Sequence, residues 1–324
     1  MSDKPKVLPP GSNPCFFVVG CPRSGTTLLR RLLDAHPRLC VPKAETHWIP
    51  KFYSRGDGLD MDGNATPAFV DVLMAYPRFR KFRADRQTLL SFFDGRPCMD
   101  YAEFVRRLFD WYGEQRGKPL IGDKTPGYAR YIPLLHKLFP QARFIHLLRD
   151  GRDTALSLLS WDRLHKTAGR LATFDEDPVT TTALFWEWLV RLGRETGSHL
   201  PQGLYMEVSY ERLVDDTEPA CREICEFLGI AFEPEMLEYH RGRQKPGRGL
   251  SAKKAWLPPT GKLRDWRHQM SGQELLLFEA ACASLLTELG YEVRNRDVDP
   301  AVIAHALRLR QAFERRPVPE AWLA

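Results

Sequence analysis

Long apolar runs are missing from this chain of 324 residues. No window approaches the roughly 18 uninterrupted apolar residues that a membrane-spanning helix needs, so we expect no integral membrane segment. The first 14 residues contain charges and prolines but lack the apolar centre of a secretory signal peptide. This composition predicts a flexible N-terminus over 1–14 and a cytoplasmic protein.

Paired cysteine motifs are also missing. The chain has seven cysteines, an odd number, and none of them forms a C-x-x-C pair. A chain of this length needs no disulfide framework, which favours reduced thiols. Cys221 and Cys225 have the spacing of a metal site on one helix face, but no second His/Cys pair follows at zinc-like spacing. The favoured interpretation is two buried core thiols and no metal site.

A strong charge imbalance is absent as well. Lys and Arg number 47 against 41 Asp and Glu, which gives a net charge of +6. This excess is too small and too dispersed for a nucleic-acid partner. It is compatible with a protein that holds a small polyanion.

Short apolar runs alternate with helical patterns along the chain. This alternation is typical of an α/β protein, and we expect a three-layer P-loop-type fold with a central, mostly parallel sheet flanked by helices. We predict a single domain over 15–295 with a helical insertion near 60–117, and a C-terminal helix and tail over 296–324. Its amphipathic part, 302–316, would either pack on the domain or lie on a membrane surface. The predicted strands are 15–20, 119–122, 143–148 and 203–208.

The first predicted strand leads into Gly20-Cys-Pro-Arg-Ser-Gly-Thr-Thr, the G-x-x-x-x-G frame of a phosphate-binding loop. In such a loop the backbone N–H groups and the N-terminus of the next helix bind phosphate oxygens. The usual lysine after the second glycine is missing, since Thr26 stands there, and Arg23 supplies a cation inside the loop. The loop therefore fits an anion different from a nucleoside triphosphate. The alternative is a turn that merely joins strand to helix.

The segment Pro22–Leu28 resembles the 5′-phosphosulfate loop of sulfotransferases that use 3′-phosphoadenosine-5′-phosphosulfate (PAPS). Cytosolic members of that family carry Lys at the place of Arg23, whereas Arg is common in bacterial, Golgi-type and tyrosylprotein members. The resemblance implies PAPS as donor and adenosine 3′,5′-bisphosphate (PAP) as product. The residues it assigns to the 5′-phosphosulfate are Arg23, Ser24, Gly25, Thr26 and Thr27.

A second anion site is indicated after the third predicted strand. Arg149 follows that strand directly, at the edge where open α/β sheets bind ligands. Ser157 lies on the next helix, where a guanidinium and a hydroxyl can converge on one anion. In a similar stretch of the sulfotransferases, an Arg and a Ser eight residues apart bind the donor's 3′-phosphate, which implies Arg149 and Ser157 here. The alternative is a surface ion pair of Arg149 with Asp150 or Asp153.

Two further matches concern the rest of the nucleotide. The segment 208–214 resembles the family's strand-end segment whose Tyr lies near the adenine, which implies Tyr210; core packing is the alternative. The segment 260–267 resembles a late loop that closes over the 3′-phosphate. There Lys262, or Arg264, would touch that phosphate, unless the segment is a solvated basic loop.

Sulfuryl transfer needs a base for the acceptor proton and a cation for the leaving oxygen, and in principle no metal. Glu45 lies in a segment similar to the one that carries the base of Golgi-type and tyrosylprotein sulfotransferases. His47 is the competing candidate, and a Glu on an exposed turn is the alternative. Lys124 lies in a Lys-Thr-Pro-x-Tyr segment that resembles the one in carbohydrate sulfotransferases, whose Lys touches the bridging oxygen. Its alternative role is a salt bridge.

The resemblance therefore implies an enzyme that transfers the sulfuryl group from PAPS to an acceptor hydroxyl, or to an amine. The acceptor partner would be a small molecule, carbohydrate, lipid or peptide, and no motif indicates which, nor the oligomeric state. Two other functions stay open. One is a P-loop kinase that uses ATP and magnesium, against which the missing loop lysine argues. The other is a non-catalytic protein that binds PAP or a sulfated ligand.

Overall fold

The computed structural model describes residues 15–160, 173–241 and 264–315. The predicted flexible N-terminus and residues 260–263 of the predicted late loop, which include Lys262, lie outside the described residues.

A five-stranded sheet forms the centre of the described structure. Its order is β2-β3-β1-β4-β5, and all neighbouring strands are parallel. The predicted parallel sheet is therefore confirmed. One strand, β2, was not predicted. The strands are β1 (Phe16–Gly20), β2 (Leu39–Cys40), β3 (Leu120–Lys124), β4 (Arg143–Leu148) and β5 (Tyr205–Ser209).

Helices follow or precede each strand, as the α/β pattern predicts. Short 3₁₀ turns are formed by Phe79–Phe82, Pro126–Tyr131 and Pro234–Met236. The α-helices are α1 (Thr26–Ala35), α2 (Trp48–Arg55), α3 (Pro67–Ala75), α4 (Arg86–Ser91), α5 (Tyr101–Glu114), α6 (Ile132–Leu138), α7 (Gly151–Leu159), α8 (Pro178–Ser198), α9 (Tyr210–Asp215), α10 (Thr217–Leu228), α11 (Trp266–Gln269), α12 (Gly272–Glu288) and α13 (Pro300–Glu314).

The sheet is covered by helices on both faces. Alternate residues of β1 point to opposite faces, so Phe16 packs in one core and Phe17 in the other. The Phe16 core contains α1, α9 and α10, and the larger Phe17 core contains α5, α8, α12 and α13. This is the predicted three-layer arrangement. A strand that is covered on both faces needs apolar residues on both sides.

The helices that cover the sheet test two sequence predictions, one on the cysteine pair and one on the C-terminal helix. Cys221 and Cys225 are free thiols buried in the Phe16 core, as core packing predicts. Helix α13 buries Ala306, Leu309 and Phe313, and it packs on α8 and α12. Within the described residues, each helix is too short or too polar to cross a membrane.

The strand order reverses at β1, with β3 on one side and β4 on the other. In open α/β sheets, ligands bind at the carboxyl ends of the strands at such a reversal. The chain places Gly20, Lys124 and Leu148 at the ends of β1, β3 and β4. The phosphate-binding loop, Lys124 and Arg149 therefore follow or end three adjacent strands, while Glu45 follows β2 and Tyr210 follows β5.

Candidate active site

The loop between β1 and α1 turns tightly around Ser24. The Ser24 hydroxyl and amide both donate to the carbonyl of Cys21, at 2.7 and 3.1 Å. Gly25 begins α1 with φ of 98°, and α1 has no side-chain cap among the described residues. The first amide groups of a helix lack intrahelical acceptors and attract anions. Thr26 and Thr27 thus stand where an anion would find both N–H groups and hydroxyls.

Three guanidinium groups meet beside this loop. Arg23 has a left-handed backbone, with φ of 75°, and its Nε donates to the Ser157 hydroxyl at 3.0 Å. Burial lowers the pKa of Arg23, and the nearby positive charges of Arg264 and Arg149 lower it further. Like charges held this close repel each other, and a bound polyanion would relieve that repulsion. Arg264 also donates to the Ser160 hydroxyl at 2.7 Å.

Arg149 is the most buried of these arginines, with 6% of its surface exposed. Its guanidinium lies 4.2 Å from the centroid of the Tyr210 ring, a cation–π contact. One amino group donates to the Arg23 carbonyl at 3.3 Å and the other to Asp153 at 3.4 Å. Its buried Nε has no hydrogen-bond partner among the described residues. An anion at this place would satisfy that donor.

The alternative ion pair is present, but with Asp153 and not with Asp150. Burial raises the pKa of Asp153 to about 6, although Arg149 opposes the shift. The second oxygen of Asp153 accepts from the amide of Trp266 at 2.9 Å. Asp153 therefore connects the Arg149 side chain to the start of α11. Asp153 is one of the two ion-pair partners that the sequence left open, while the link to Trp266 left no signal in the sequence.

Asp150 instead belongs to a buried cluster behind Arg149. Its carboxylate accepts from Arg152 at 2.9 and 3.0 Å, and Arg152 has no exposed surface. Arg152 also donates to Glu279 of α12 and to the carbonyl of Glu292, both at 2.7 Å. The Trp266 ring lies 3.7 Å from the Arg152 guanidinium. The cluster fixes the start of α7 by contacts that sequence reasoning missed.

Tyr210 lies at the start of α9 with 8% of its surface exposed. One face of its ring contacts Arg149, and Gly25 lies against the ring as well. The residue is also a member of the Phe16 core. The core-packing alternative therefore describes this side chain, which also contacts Arg149; its place near the adenine stays a prediction.

The predicted base and leaving-group cation form one ion pair at the ends of β2 and β3. Lys124 Nζ donates to Glu45 Oε1, and His47 Nε2 lies 2.9 Å from Glu45 Oε2. The Lys124 side chain is 6% exposed and that of Glu45 is 30% exposed. Glu45 is thus reachable from outside, which an acceptor requires.

Electrostatics keep Glu45 ionised. Burial alone would raise the pKa of Glu45, but Lys124 and His47 outweigh burial and hold that pKa well below its usual range. The Glu45 carboxylate also acts on Arg23, whose pKa it tends to raise. The pair and the arginine cluster are therefore neighbours in one site.

Hydrogen bonds between neighbouring hydroxyl residues link the segment of Glu45 to the segment of Lys124. The amide of Thr46 donates to the Thr125 hydroxyl at 3.0 Å. The hydroxyls of Thr46 and Tyr128 share a hydrogen bond of 2.6 Å. Asp123 is fully buried beside these hydroxyls, and burial raises the pKa of its carboxyl to about 7, although the side chains of Thr125 and Thr46 oppose the rise. Thr125 and Tyr128 belong to the same Lys-Thr-Pro-x-Tyr motif as Lys124, so the motif was the sequence signal for these hydrogen bonds as well.

A model of the sulfotransferase family matches residues 14–234. A putative protein-tyrosine sulfotransferase of Caenorhabditis briggsae is 28% identical over 230 residues, 69% of each chain. The nodulation protein NoeE of Sinorhizobium fredii is 29% identical over 300 residues, 85% of this chain and 65% of NoeE.

Among solved structures, the sulfotransferase domain from the curacin biosynthetic pathway aligns with a TM-score of 0.56. Its sequence identity is 20%, and the alignment covers 87% of this chain and 99% of that domain. At this identity the likeness concerns the fold. It agrees with the three-layer α/β architecture described above.

Proposed function

The chain belongs to the sulfotransferase family, and we propose that it transfers the sulfuryl group of PAPS to an acceptor hydroxyl and releases PAP. The observation that carries the proposal is the meeting of two groups of residues at the carboxyl edge of the sheet. One group is the arginine cluster of Arg23, Arg149 and Arg264, and the other is the Glu45–Lys124 pair. The first fits a polyanionic donor, and the second fits proton and sulfuryl transfer.

In the proposed donor complex, the amides and hydroxyls of 23–27 hold the 5′-phosphosulfate at the N-terminus of α1. Arg149 and Ser157 hold the 3′-phosphate, and the Arg149 Nε that lacks a partner in the described structure is the donor that this phosphate satisfies. Tyr210 lies against Arg149 and would flank the adenosine. Fixed guanidinium groups supply the charge that magnesium supplies in a kinase.

In the proposed transfer, Glu45 removes the proton of the acceptor hydroxyl as its oxygen bonds to sulfur. The bond between sulfur and the bridging phosphate oxygen breaks, and Lys124 stabilises the charge that grows on that oxygen. Lys124 donates a hydrogen bond to Glu45 in the described structure, which supports a place for the ammonium group beside the proposed base. PAP leaves with the electron pair, and Glu45 keeps the proton until solvent takes it.

The acceptor we propose is a hydroxyl, with an amine as the second choice. Relatives such as the one from Caenorhabditis briggsae are named protein-tyrosine sulfotransferases, which makes a phenolic hydroxyl the first to test. The other acceptors to test are hydroxyl groups of carbohydrates, lipids and small molecules.

The test is transfer from PAPS labelled in the sulfuryl group to tyrosine peptides, phenols, sugars, lipids and amines. We expect one acceptor class to become labelled, with one PAP released per label, in the presence of excess EDTA. Binding of PAP without transfer to any acceptor would favour the non-catalytic alternative. Transfer of phosphate from ATP with strict need for magnesium would favour the kinase.

A further inference from the structure

His47 contacts Glu45 from an unusual backbone position. It stands just before α2 with φ of 41° and ψ of −28°, and its side chain is 8% exposed. Positive φ is costly for a residue with a side chain, and such strain persists where the surroundings impose it. Here the consequence is that Nε2 lies 2.9 Å from Glu45 Oε2. An ionised carboxylate only accepts hydrogen bonds, so His47 Nε2 carries the proton of this bond.

The ring of His47 is held on its other side by Tyr128. The two rings pack edge to face, with centroids 6.5 Å apart and an interplanar angle of 74°. Tyr128 is fully buried and is bonded through its hydroxyl to Thr46. The three residues 45–47 are therefore each fastened to the segment 124–128.

The charges around this imidazole favour its neutral form. Burial lowers the pKa of His47, Glu45 raises it, and the positive charges of Arg78 and Lys124 lower it again. We expect the lowering effects to dominate. Of the other charged groups near Glu45, Arg23 lies on the donor side and Asp123 on the buried side. In this neutral ring the nitrogen that faces Glu45, Nε2, already carries a proton and donates it to the carboxylate. That nitrogen therefore cannot act as the base.

We propose that His47 is a positioning residue, whose Nε2–H fixes the Glu45 carboxylate beside Lys124 in the orientation that receives the acceptor proton. Lys124 holds Oε1 and His47 holds Oε2, so the carboxylate cannot rotate away. The kinetic part of this inference rests on the proposed function. The structural part concerns the free protein alone.

The structural part is tested by nuclear magnetic resonance of the histidine rings, without turnover. We expect the His47 ring, assigned by its loss in H47Q, to carry its proton on Nε2 and to have a pKa below about 6.5. In E45Q the pKa of His47 should fall further, because the carboxylate that favours imidazolium is gone. A proton on Nδ1, or a pKa that E45Q leaves unchanged, would overturn the inference even if PAPS proves not to be the donor.

The kinetic part compares H47Q with H47F. Gln can place an N–H near the position of Nε2, whereas Phe keeps the ring on Tyr128 and removes the donor. Because misplacement by about 1 Å costs up to about 100-fold, we expect H47F to lose about 10- to 100-fold in kcat. H47Q should recover most of this loss, with the KM for PAPS unchanged in both variants.

Three kinetic results would overturn the inference. Equal and complete loss of activity in both variants would make His47 the base. Wild-type kcat in H47F would make the hydrogen bond irrelevant. A loss in H47Q as large as in H47F would show that the N–H is not what His47 contributes. H199F, which changes an exposed histidine at the end of α8, is the control for the loss of an imidazole elsewhere.

Discussion

Gly25 lies so close to the Tyr210 ring that a Cβ on Gly25 would stand 2.3 Å from Cδ2 of that ring. The same ring carries the Arg149 guanidinium 4.2 Å from its centroid. One aromatic side chain thus connects the start of α1 with the arginine at the end of β4. A substitution at Gly25 should therefore displace Arg149 through the Tyr210 ring, and a substitution at Arg149 should affect the start of α1.

Gly25→Ala should therefore damage donor binding. The new methyl group must displace the Tyr210 ring, and with it Arg149, because a separation of 2.3 Å is far inside van der Waals contact. We expect the affinity for PAP, measured by calorimetry, to fall at least about tenfold. Gly56→Ala is the matched control, since Gly56 has φ of 70° but nothing within 4 Å of its Cβ position. Equal effects of the two variants on PAP affinity would contradict the role of the Tyr210 contact.

Arg149→Ala tests recognition of the 3′-phosphate. PAP should bind wild type far better than ADP does, and the variant should lose most of that preference. Loss of one charged hydrogen-bonded contact costs about 1.5–3 kcal/mol, which is about 10- to 100-fold in affinity. Arg212→Ala, which removes an exposed arginine paired with Glu223, serves as control. Wild-type binding of ADP as tight as that of PAP would exclude the assigned site.

Glu45→Gln tests the base. The amide keeps the shape of the side chain but cannot accept the acceptor proton at neutral pH. Single-turnover transfer from labelled PAPS should slow by about 10²- to 10⁴-fold, while PAP affinity stays within about threefold of wild type. Glu226→Gln, an exposed position on α10, is the control. Transfer at the wild-type rate in Glu45→Gln would remove Glu45 from the mechanism.

Asp123→Asn tests the buried carboxyl beneath the site. Burial raises the pKa of Asp123 to about 7, whereas an unfolded chain holds an Asp near about 3.9. Its neutral form therefore favours folding, fully so below about pH 4, and this contribution is lost as pH rises to about 7. Relative to Asp123→Asn, wild type should lose about 1.4 kcal/mol of unfolding free energy per pH unit across that range.

The measurement for Asp123 is urea unfolding between about pH 4.5 and 7.5. The exposed Asp62→Asn should follow wild type throughout. A constant difference between wild type and Asp123→Asn at all pH values would show that Asp123 has the same pKa in the folded protein as in the unfolded chain, and would contradict this prediction.

The sequence predicted best what depends on continuous local patterns. The apolar run 143–148 became β4 with the same bounds, because a strand buried on both faces needs such a run. β2 could not be predicted, since its two residues are too few to show a pattern. The candidate roles of Glu45 and Lys124 were assigned separately, but their contact across 79 residues depends on the parallel pairing of β2 with β3.

Arg149 shows a second limit of the sequence. Both Asp150 and Asp153 were candidates for an ion pair with it, and the structure pairs it with Asp153. Asp150 does not pair with Arg149 because its carboxylate binds Arg152. Arg152 also binds Glu279, which lies 127 residues further along the chain. Such a distant partner is fixed by tertiary packing and has no local signal.

The buried Arg152–Glu279 bond also bears on how the chain can be shortened. The family model ends at residue 234, but Glu279 and the Glu292 carbonyl lie beyond that point. A fragment cut at 234 would remove two acceptors of Arg152, together with the Trp266 ring that lies against its guanidinium, and would leave Asp150 as a carboxylate partner. The start of α7, where Arg152 lies three residues after Arg149, would then lose most of the contacts that fix it. A fragment for expression and ligand screening should therefore keep α12, the residues that follow it to 295, and α13, whose Leu309 and Phe313 are part of the Phe17 core.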